Sequence, residues 1–251
     1  MAFWNRNKNK TEIKENTTPV VKLNLTKDES LVALDLRKKE VNLLCLEKPE
    51  LSNLKSRVAL VLDYSGSMNP LYRNGTVQSV VERILPIAMQ FDDNAELDLW
   101  IFENGYKRLG GITKENFYGY VKNEIMAKYS MGGTNYAPVM KDVAKKYIDE
   151  EPASLPNYVI YITDGDNSDK TTTTNFMKDI SKEPIFWQFV GIGNDSFAFL
   201  EKLDDMGGRY IDNADFFRIK DINKVSDKEL YNNLLNEYPE WLKLVKSKGM
   251  I

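Results

Sequence analysis

An aspartate and two serines stand at alternate positions, Asp63, Ser65 and Ser67, directly after the apolar run VALVL at residues 58–62. Spaced i, i+2, i+4 in a loop, their oxygens can turn toward one point, and Gly66 lets the chain bend tightly between the serines. A second polar loop, Met131-Gly132-Gly133-Thr134-Asn135, adds the hydroxyl of Thr134, and its paired glycines permit close backbone approach. A third, Thr163-Asp164-Gly165-Asp166, follows another apolar run and brings the carboxylate of Asp164. Oxygen donors of this kind suit a hard cation. Mg²⁺ takes near-octahedral oxygen ligation at roughly 2.0–2.1 Å and keeps several waters. Two carboxylates nearly neutralise a divalent ion, and hydroxyls add no charge. A coordination position left open therefore stays electrophilic and favours an acidic oxygen from a partner. Mg²⁺ is the expected ion, with Mn²⁺ or Ca²⁺ as alternatives, because an all-oxygen site with open positions accepts several hard ions.

The rest of the composition agrees with that chemistry. The 251 residues include no histidine and one cysteine, Cys45. This excludes a Ser-His-Asp or Cys-His nucleophile, a histidine-based zinc, copper or iron site, and an intrachain disulfide. Net charge is −3, from 34 basic and 37 acidic side chains, which is no balance for nucleic acid. No apolar run approaches the length of a membrane span, and the opening MAFWNRNKNKTEIKENTTPV lacks the apolar stretch of a signal peptide. The expected location is the cytoplasm.

The loops need elements to hold them. Residues 1–19 read as a flexible polar tail, and 20–57 as an extension packing on the main domain. Within that extension VVKLNL predicts a short strand, and LVALDL and VNLLCL predict strands or a helix, since periodicity does not decide. Cys45 lies in an apolar run and is expected to be inert. The main domain, 58–251, opens on VALVL, a run suited to a parallel strand buried on both faces. TVQSVVERILPIAMQF has helical spacing at Val77, Val80, Val81, Ile84, Leu85 and Ala88, with Pro86 predicting a kink or a late start. Strands follow at ELDLWIF and YKRLGGI across the turn residues Asn104 and Gly105, then helices at KENFYGYVKNEIM and APVMKDVAKKYIDE. Beyond these come strand YVIYIT, helix TTNFMKDISKE, strand IFWQFVGIG, helix FAFLEKLDDM and a short strand RYIDN. Leu230, Leu234, Tyr238, Trp241 and Val245 share one helical face at the C-terminus, and Pro239 marks a break or a second helix start. Alternating strands and helices predict a doubly wound α/β domain with a mostly parallel sheet. Ligands in such folds sit outside the carboxyl ends of the strands, where two of the three polar loops begin.

A lone DxSxS is weak, since Asp and Ser commonly cap helices and make turns; the three loops together carry the reading. Asp164, Asp166 and Asp169 do not form an EF-hand, because Asp169 stands where that loop requires glycine and Asn175 where it requires glutamate. Asp166 and Asp169 read as solvated or as supporting the ligands from behind, with Asp166 able to bond a metal-held water. Tyr64 and Met68 are candidates for a ligand-contacting rim, whereas Tyr129 and Met131 read as packing. Asn194 and Asp195 read as a helix cap.

The five-residue pattern resembles the metal-ion-dependent adhesion site of von Willebrand factor A (vWA) domains, over about residues 58–250. The family's DxSxS is matched by Asp63, Ser65 and Ser67, its distant Thr by Thr134 and its distant Asp by Asp164. The resemblance implies direct ligation by the serines and ligation by the Thr and Asp residues directly or through water, with a ligand carboxylate completing the sphere. VALVLDYSGSM, GGTNYAPVM, GIGND, RYIDNADFF and ELYNNLLNEYPEWL resemble the TerF-like branch, and VKLNLTKDESLVALDL resembles the opening of Ter proteins. That branch implies a tellurite-resistance or stress setting, TerD-like calcium-binding partners and no catalytic residue. Two other functions stay open on the residues. One is a Mg²⁺-dependent phosphoester hydrolase, against which Ser65 stands where a general-acid Asp is needed. The other is a scaffold whose metal is only structural.

Overall fold

A computed structural model describes residues 20–92 and 94–251, so the predicted tail 1–19 lies outside the described residues. The sheet has six strands: β1 (Arg57–Asp63), β2 (Leu97–Phe102), β3 (Tyr106–Ile112), β4 (Asn157–Thr163), β5 (Ile185–Ile192) and β6 (Ala214–Ile219). Their order is β3-β2-β1-β4-β5-β6, parallel throughout except for the edge strand β3, which returns antiparallel on β2. The predicted doubly wound α/β class is the observed one. β4 and β5 are buried along their whole length, and β1 is buried after its first residue, which explains their unbroken apolar sequences.

Alternation within β1 divides the core. Val58, Leu60 and Leu62 face one layer, and Ala59 and Val61 face the other. The first layer holds α1 (Lys27–Glu47), α3 (Thr76–Phe91), α7 (Asp227–Leu234) and α8 (Tyr238–Ser247); the short α2 (Asn69–Arg73) precedes α3. The second layer is built by α4 (Ala137–Lys145), α5 (Lys170–Ile180) and α6 (Ala198–Asp205). The chain leaves β1 for β2 through α3 on one face and enters β4 from α4 on the other. The topological switch point therefore falls between β1 and β4, where a doubly wound sheet opens a crevice.

Several predicted elements differ. LVALDL and VNLLCL join into the single 21-residue helix α1, because the intervening RKKE are good helix formers. A capping box starts it: the Glu29 amide donates to Thr26 Oγ1 at 3.3 Å and the Thr26 amide to Glu29 Oε2 at 2.8 Å. VVKLNL is not a strand. Val20 and Val21 both donate to the Asn223 carbonyl, and Asn24 takes a left-handed φ of 56° that interrupts extended pairing. α3 runs unbroken through Pro86. In KENFYGYVKNEIM only Val121–Met126 is helical, a wide π-type turn after Gly119 at φ 69°. RYIDN is not a strand, and the last strand begins at Ala214. Pro239 sits in the first turn of a separate helix, α8. Cys45 is buried, and burial pushes its thiol up to about 11, so it stays a protonated packing group. Among the described residues no helix is long and apolar enough to cross a membrane.

Candidate metal centre

Asp63 is the last residue of β1 and has no solvent exposure. Its Oδ1 accepts the Ser65 amide at 2.8 Å, and its Oδ2 accepts the Thr163 hydroxyl at 2.6 Å. From there the side chains form a continuous path. Ser65 Oγ lies 3.0 Å from Ser67 Oγ, and Ser67 Oγ donates to Asp164 Oδ1 at 2.9 Å. Asp63, Ser65, Ser67 and Asp164 are thus brought together across the ends of β1 and β4. The Thr134 hydroxyl makes none of these bonds. Its loop is nevertheless tied to them: Ser65 and Gly132 form a parallel bridge, the Gly66 amide donates to the Gly132 carbonyl at 3.1 Å, and the Ser168 amide donates to the Thr134 carbonyl at 2.9 Å.

Two supporting residues are not read from sequence. Thr163 reads only as the end of a strand, yet it holds Asp63. Tyr72 donates to the Asp63 main-chain carbonyl at 2.9 Å. Asp169, expected to be solvated or to support the ligands, does the latter: it accepts the amides of Tyr136 at 2.9 Å and Ala137 at 2.8 Å, fixing the start of α4 beside Thr134. A carboxylate that precedes one helix while capping another leaves no local signature. Tyr136 also donates to Thr163 Oγ1 at 3.2 Å, and burial holds its phenol well above the ordinary tyrosine value, so it remains a donor.

The expected rim does not form from Tyr64 and Met68. Both are buried: Tyr64 packs edge-on against Tyr72 and donates to the Tyr129 carbonyl, and Met68 is wholly enclosed. Tyr129 and Met131 pack against the core. Asp166 is exposed and pairs with Lys170. Asn194 and Asp195 do not cap α6, which starts at Ala198 after Phe197; the Asp195 carboxylate instead accepts the Ser196 amide and lies against Gly165. A second carboxylate grouping, Asp204, Asp215 and Glu237, has oxygens within 4.8 Å of one another near the amino end of β6, and all three are engaged in other interactions.

The glycines divide by role. A Cβ on Gly132 would lie 2.6 Å from Glu103 Oε2, which can swing aside, and 3.1 Å from Glu103 Cβ, a tight contact to which the end of β2 would have to yield, so glycine eases the close approach there. Gly66 needs no such freedom: its φ is not positive and a Cβ there would meet nothing within 4 Å. Gly132→Ala is expected to cost about 1–3 kcal/mol in urea unfolding, and Gly66→Ala less than about 0.5 kcal/mol. Equal costs would place the tight constraint in the wrong loop.

Electrostatically the site is short of positive charge. Burial pushes the Asp63 carboxyl up to about 6, the Asp164 charge adding to the rise, while its hydrogen bonds from Thr163 and Ser65 oppose it. Burial also raises Asp164, with the Asp195 charge acting in the same direction and the Ser67 bond against it. Among the described residues no lysine or arginine pairs with Asp63 or Asp164. A buried carboxylate without a cation, beside a second carboxylate and two hydroxyls, is a donor set that fits a hard divalent ion.

A doubly wound sheet with this cluster at its switch point defines a vWA-type domain, and the comparisons agree. Proximal thread matrix protein 1 of the mussel byssus, in a structure with a zinc-occupied MIDAS motif, superposes with a TM-score of 0.55 at 16% identity, over 73% of this chain and 46% of that one. This chain thus spans about half of that longer protein. The SpRpn10 VWA domain gives 0.53 at 12% identity, over 73% of this chain and 95% of that one. At such identities the likeness is one of fold. The chain belongs to the vWA-TerF-like family, described as the vWA found in the TerF C terminus, whose model matches residues 55–251. It is also 48% identical over 224 residues to the uncharacterized protein YcbR of Bacillus subtilis (strain 168), covering 88% of this chain and 91% of that protein.

Proposed function

We propose that this protein is a divalent-cation-dependent interaction module rather than an enzyme. Asp63, Ser65, Ser67, Thr134 and Asp164 hold the ion, Mg²⁺ in the first instance and Mn²⁺ or Ca²⁺ as alternatives, and an acidic side chain of a partner protein completes its sphere. The observation that carries the reading is the hydrogen-bonded path from buried Asp63 through both serines to Asp164, in a site without a balancing cation. Bound there, the ion supplies a Lewis-acidic position open to a carboxylate oxygen. The chain's own part is positional. Thr163 and the Ser65 amide fix the Asp63 carboxylate, Tyr72 fixes the strand end beneath it, and Asp169 anchors the segment after Thr134. Ser65, two residues past Asp63, has no acidity to act as a general acid near neutral pH, which favours binding over phosphoester hydrolysis. Membership of the TerF-like family supports a setting in bacterial tellurite resistance or stress response, inside the cytoplasm, with TerD-like calcium-binding proteins as partners.

Calorimetry with Mg²⁺ tests the site: the native chain is expected to bind and the Asp63→Ala/Ser65→Ala variant to lose at least tenfold in affinity. Equal affinities would end the assignment. A column of the native chain loaded with host lysate in Mg²⁺ is expected to release its partner on addition of chelator. A metal that raises the melting temperature and leaves partner retention unchanged would make the ion structural only.

A further inference from the structure

The candidate metal centre lies between the ends of β1 and β4, and the strands outside them, β2 and β5, each bring a carboxylate beside it. Glu103 follows β2 directly, and Asp195 stands in the loop after β5. Both lean over the loops that carry the ligands. A Cβ on Gly165, next to Asp164, would lie 2.9 Å from Asp195 Oδ2. Glu103 Oε2 stands over Gly132, which is bridged to Ser65. Asp195 is exposed and Glu103 half-buried. Each accepts one amide of its own turn, from Ser196 and Asn104 respectively, and the second oxygen of each is unbonded among the described residues. Neither pairs with a described lysine or arginine. Asp166 of the same rim is balanced by Lys170, and Arg73 lines a separate groove with Lys22 and Lys122.

A divalent ion balances Asp63 and Asp164, so the loaded face still carries the charges of Glu103 and Asp195. They repel a partner whose coordinating carboxylate sits among other acids, and attract one whose carboxylate is flanked by cations. The sheet order sets the spacing. β2 and β5 are separated by β1 and β4, three strand intervals or about 14 Å at about 4.8 Å each. The ion's ligands end the middle pair, so each outer carboxylate stands about 7 Å to one side. In an extended chain, residues two apart share a face and lie about 6.7 Å from one another. One such segment laid across the strand ends brings a central acid to the ion. The side chains two before and two after it then meet Glu103 and Asp195.

Resting on the metal-dependent reading of the site, we infer that the partner offers an extended segment in which an aspartate or glutamate has a lysine or arginine two residues to either side. Glu103 and Asp195 are the specificity-determining residues: each takes one cation while the ion takes the acid. Both pairs stand open to water, so they discriminate between partners more than they add affinity, and the discrimination weakens as salt rises.

Synthetic peptides test this by amide-shift titration of the full chain in Mg²⁺: Gly-Lys-Gly-Asp-Gly-Lys-Gly, and the same peptide with glutamine or glutamate in place of both lysines. Lysine flanks are expected to bind about fivefold more tightly than glutamine flanks, and glutamate flanks about fivefold more weakly than glutamine. Asparagine in place of the central aspartate, or chelator in place of Mg²⁺, is expected to cost the lysine peptide at least about tenfold. Glu103→Lys/Asp195→Lys is expected to invert the order, a gain for the glutamate peptide that a misfolded chain cannot give. Peptides bound alike, a lysine peptide held as tightly in chelator as in Mg²⁺, or an order unchanged in the double variant overturns the proposal. So does the failure of every peptide to bind. Mg²⁺ calorimetry on the same samples tells the two failures apart: ion bound without the lysine preference removes this inference alone, and no ion bound removes the metal site on which it rests.

Discussion

Without added metal, Asp63→Asn is expected to be more stable than the native chain at pH 7.5 and no more stable at pH 4. The Asp63 carboxyl is raised to about 6 in the folded protein, against about 3.9 in an unfolded chain. Between those values the unfolded state has released a proton that the folded state keeps. Native stability therefore falls as pH rises from about 4 through 6, and is lower by about 3 kcal/mol above that window. Asparagine removes the charge but not the shape. Its Oδ1 can still accept the Ser65 amide. Its Nδ2 faces Thr163, whose hydroxyl can turn to accept from it and donate to the Gly165 carbonyl 3.3 Å away. Allowing about 1 kcal/mol for that exchange, the variant should gain about 2 kcal/mol, or about 5 °C in melting temperature for a chain of this size. Carboxylates other than Asp164, whose charge acts on Asp63, titrate alike in both proteins and cancel in the difference. Mg²⁺ at millimolar concentration should reverse the order, since the native chain gains by binding and the variant does not. Parallel thermal melts at pH 4 and 7.5, with chelator and with Mg²⁺, check all four values. A variant less stable than the native chain in chelator at pH 7.5 would show that burying the Asp63 charge costs little.

How the site reads from sequence follows from where its residues sit. β1, β4 and β5 are buried on both faces, so they appear as unbroken apolar runs, and the polar residues that end them stand out sharply. Asp63, Ser65, Ser67 and Asp164 were legible for that reason. Thr163 was not, because a threonine closing a β-strand is ordinary, and only the pairing of β1 with β4 turns it toward Asp63. Tyr64 and Met68 read as a rim because residues within a polar loop usually face solvent; here the turn into α2 folds both inward. The extension misled for a different reason. VVKLNL has the alternation of a strand, but the amides of Val20 and Val21 both go to the Asn223 carbonyl, and Asn24 turns left-handed. α1 gave no clear periodicity because it carries apolar residues on two sides, and one-sided patterns are what periodicity detects.

The same limit hid Arg83, whose loss should be among the most damaging single changes outside the site. It lies in α3 between Val80, Val81, Ile84 and Leu85, and its side chain is 1% exposed. Nε donates to Asp227 Oδ1 at 2.6 Å, while Nη1 and Nη2 donate to the carbonyls of Ile222 and Val225, each at 2.8 Å. Asp227 in turn accepts Arg37 Nε of α1 at 3.1 Å. One guanidinium therefore fastens the segment between β6 and α7 to α3, and its carboxylate partner extends the tie to α1. Arg83→Ala is expected to cost about 3–5 kcal/mol, or about 10 °C in melting temperature, since it leaves the half-buried Asp227 carboxylate short of a partner and strips two carbonyls of their guanidinium donors, the Ile222 oxygen keeping only the long bond from the Val225 amide. Replacing a buried ion cluster with apolar residues is often neutral elsewhere. Here Arg83→Met/Asp227→Leu/Arg37→Met should not recover the loss. The carbonyls of Ile222 and Val225 cannot be mutated away, and a buried acceptor that loses its strong donor costs about 1–3 kcal/mol. Arg83→Lys should fail as well, because one ammonium cannot reach three acceptors in the planar spread of a guanidinium. Urea unfolding of the four proteins decides it. A triple variant as stable as the native chain would mean that the charges, and not the two carbonyls, set the requirement for arginine.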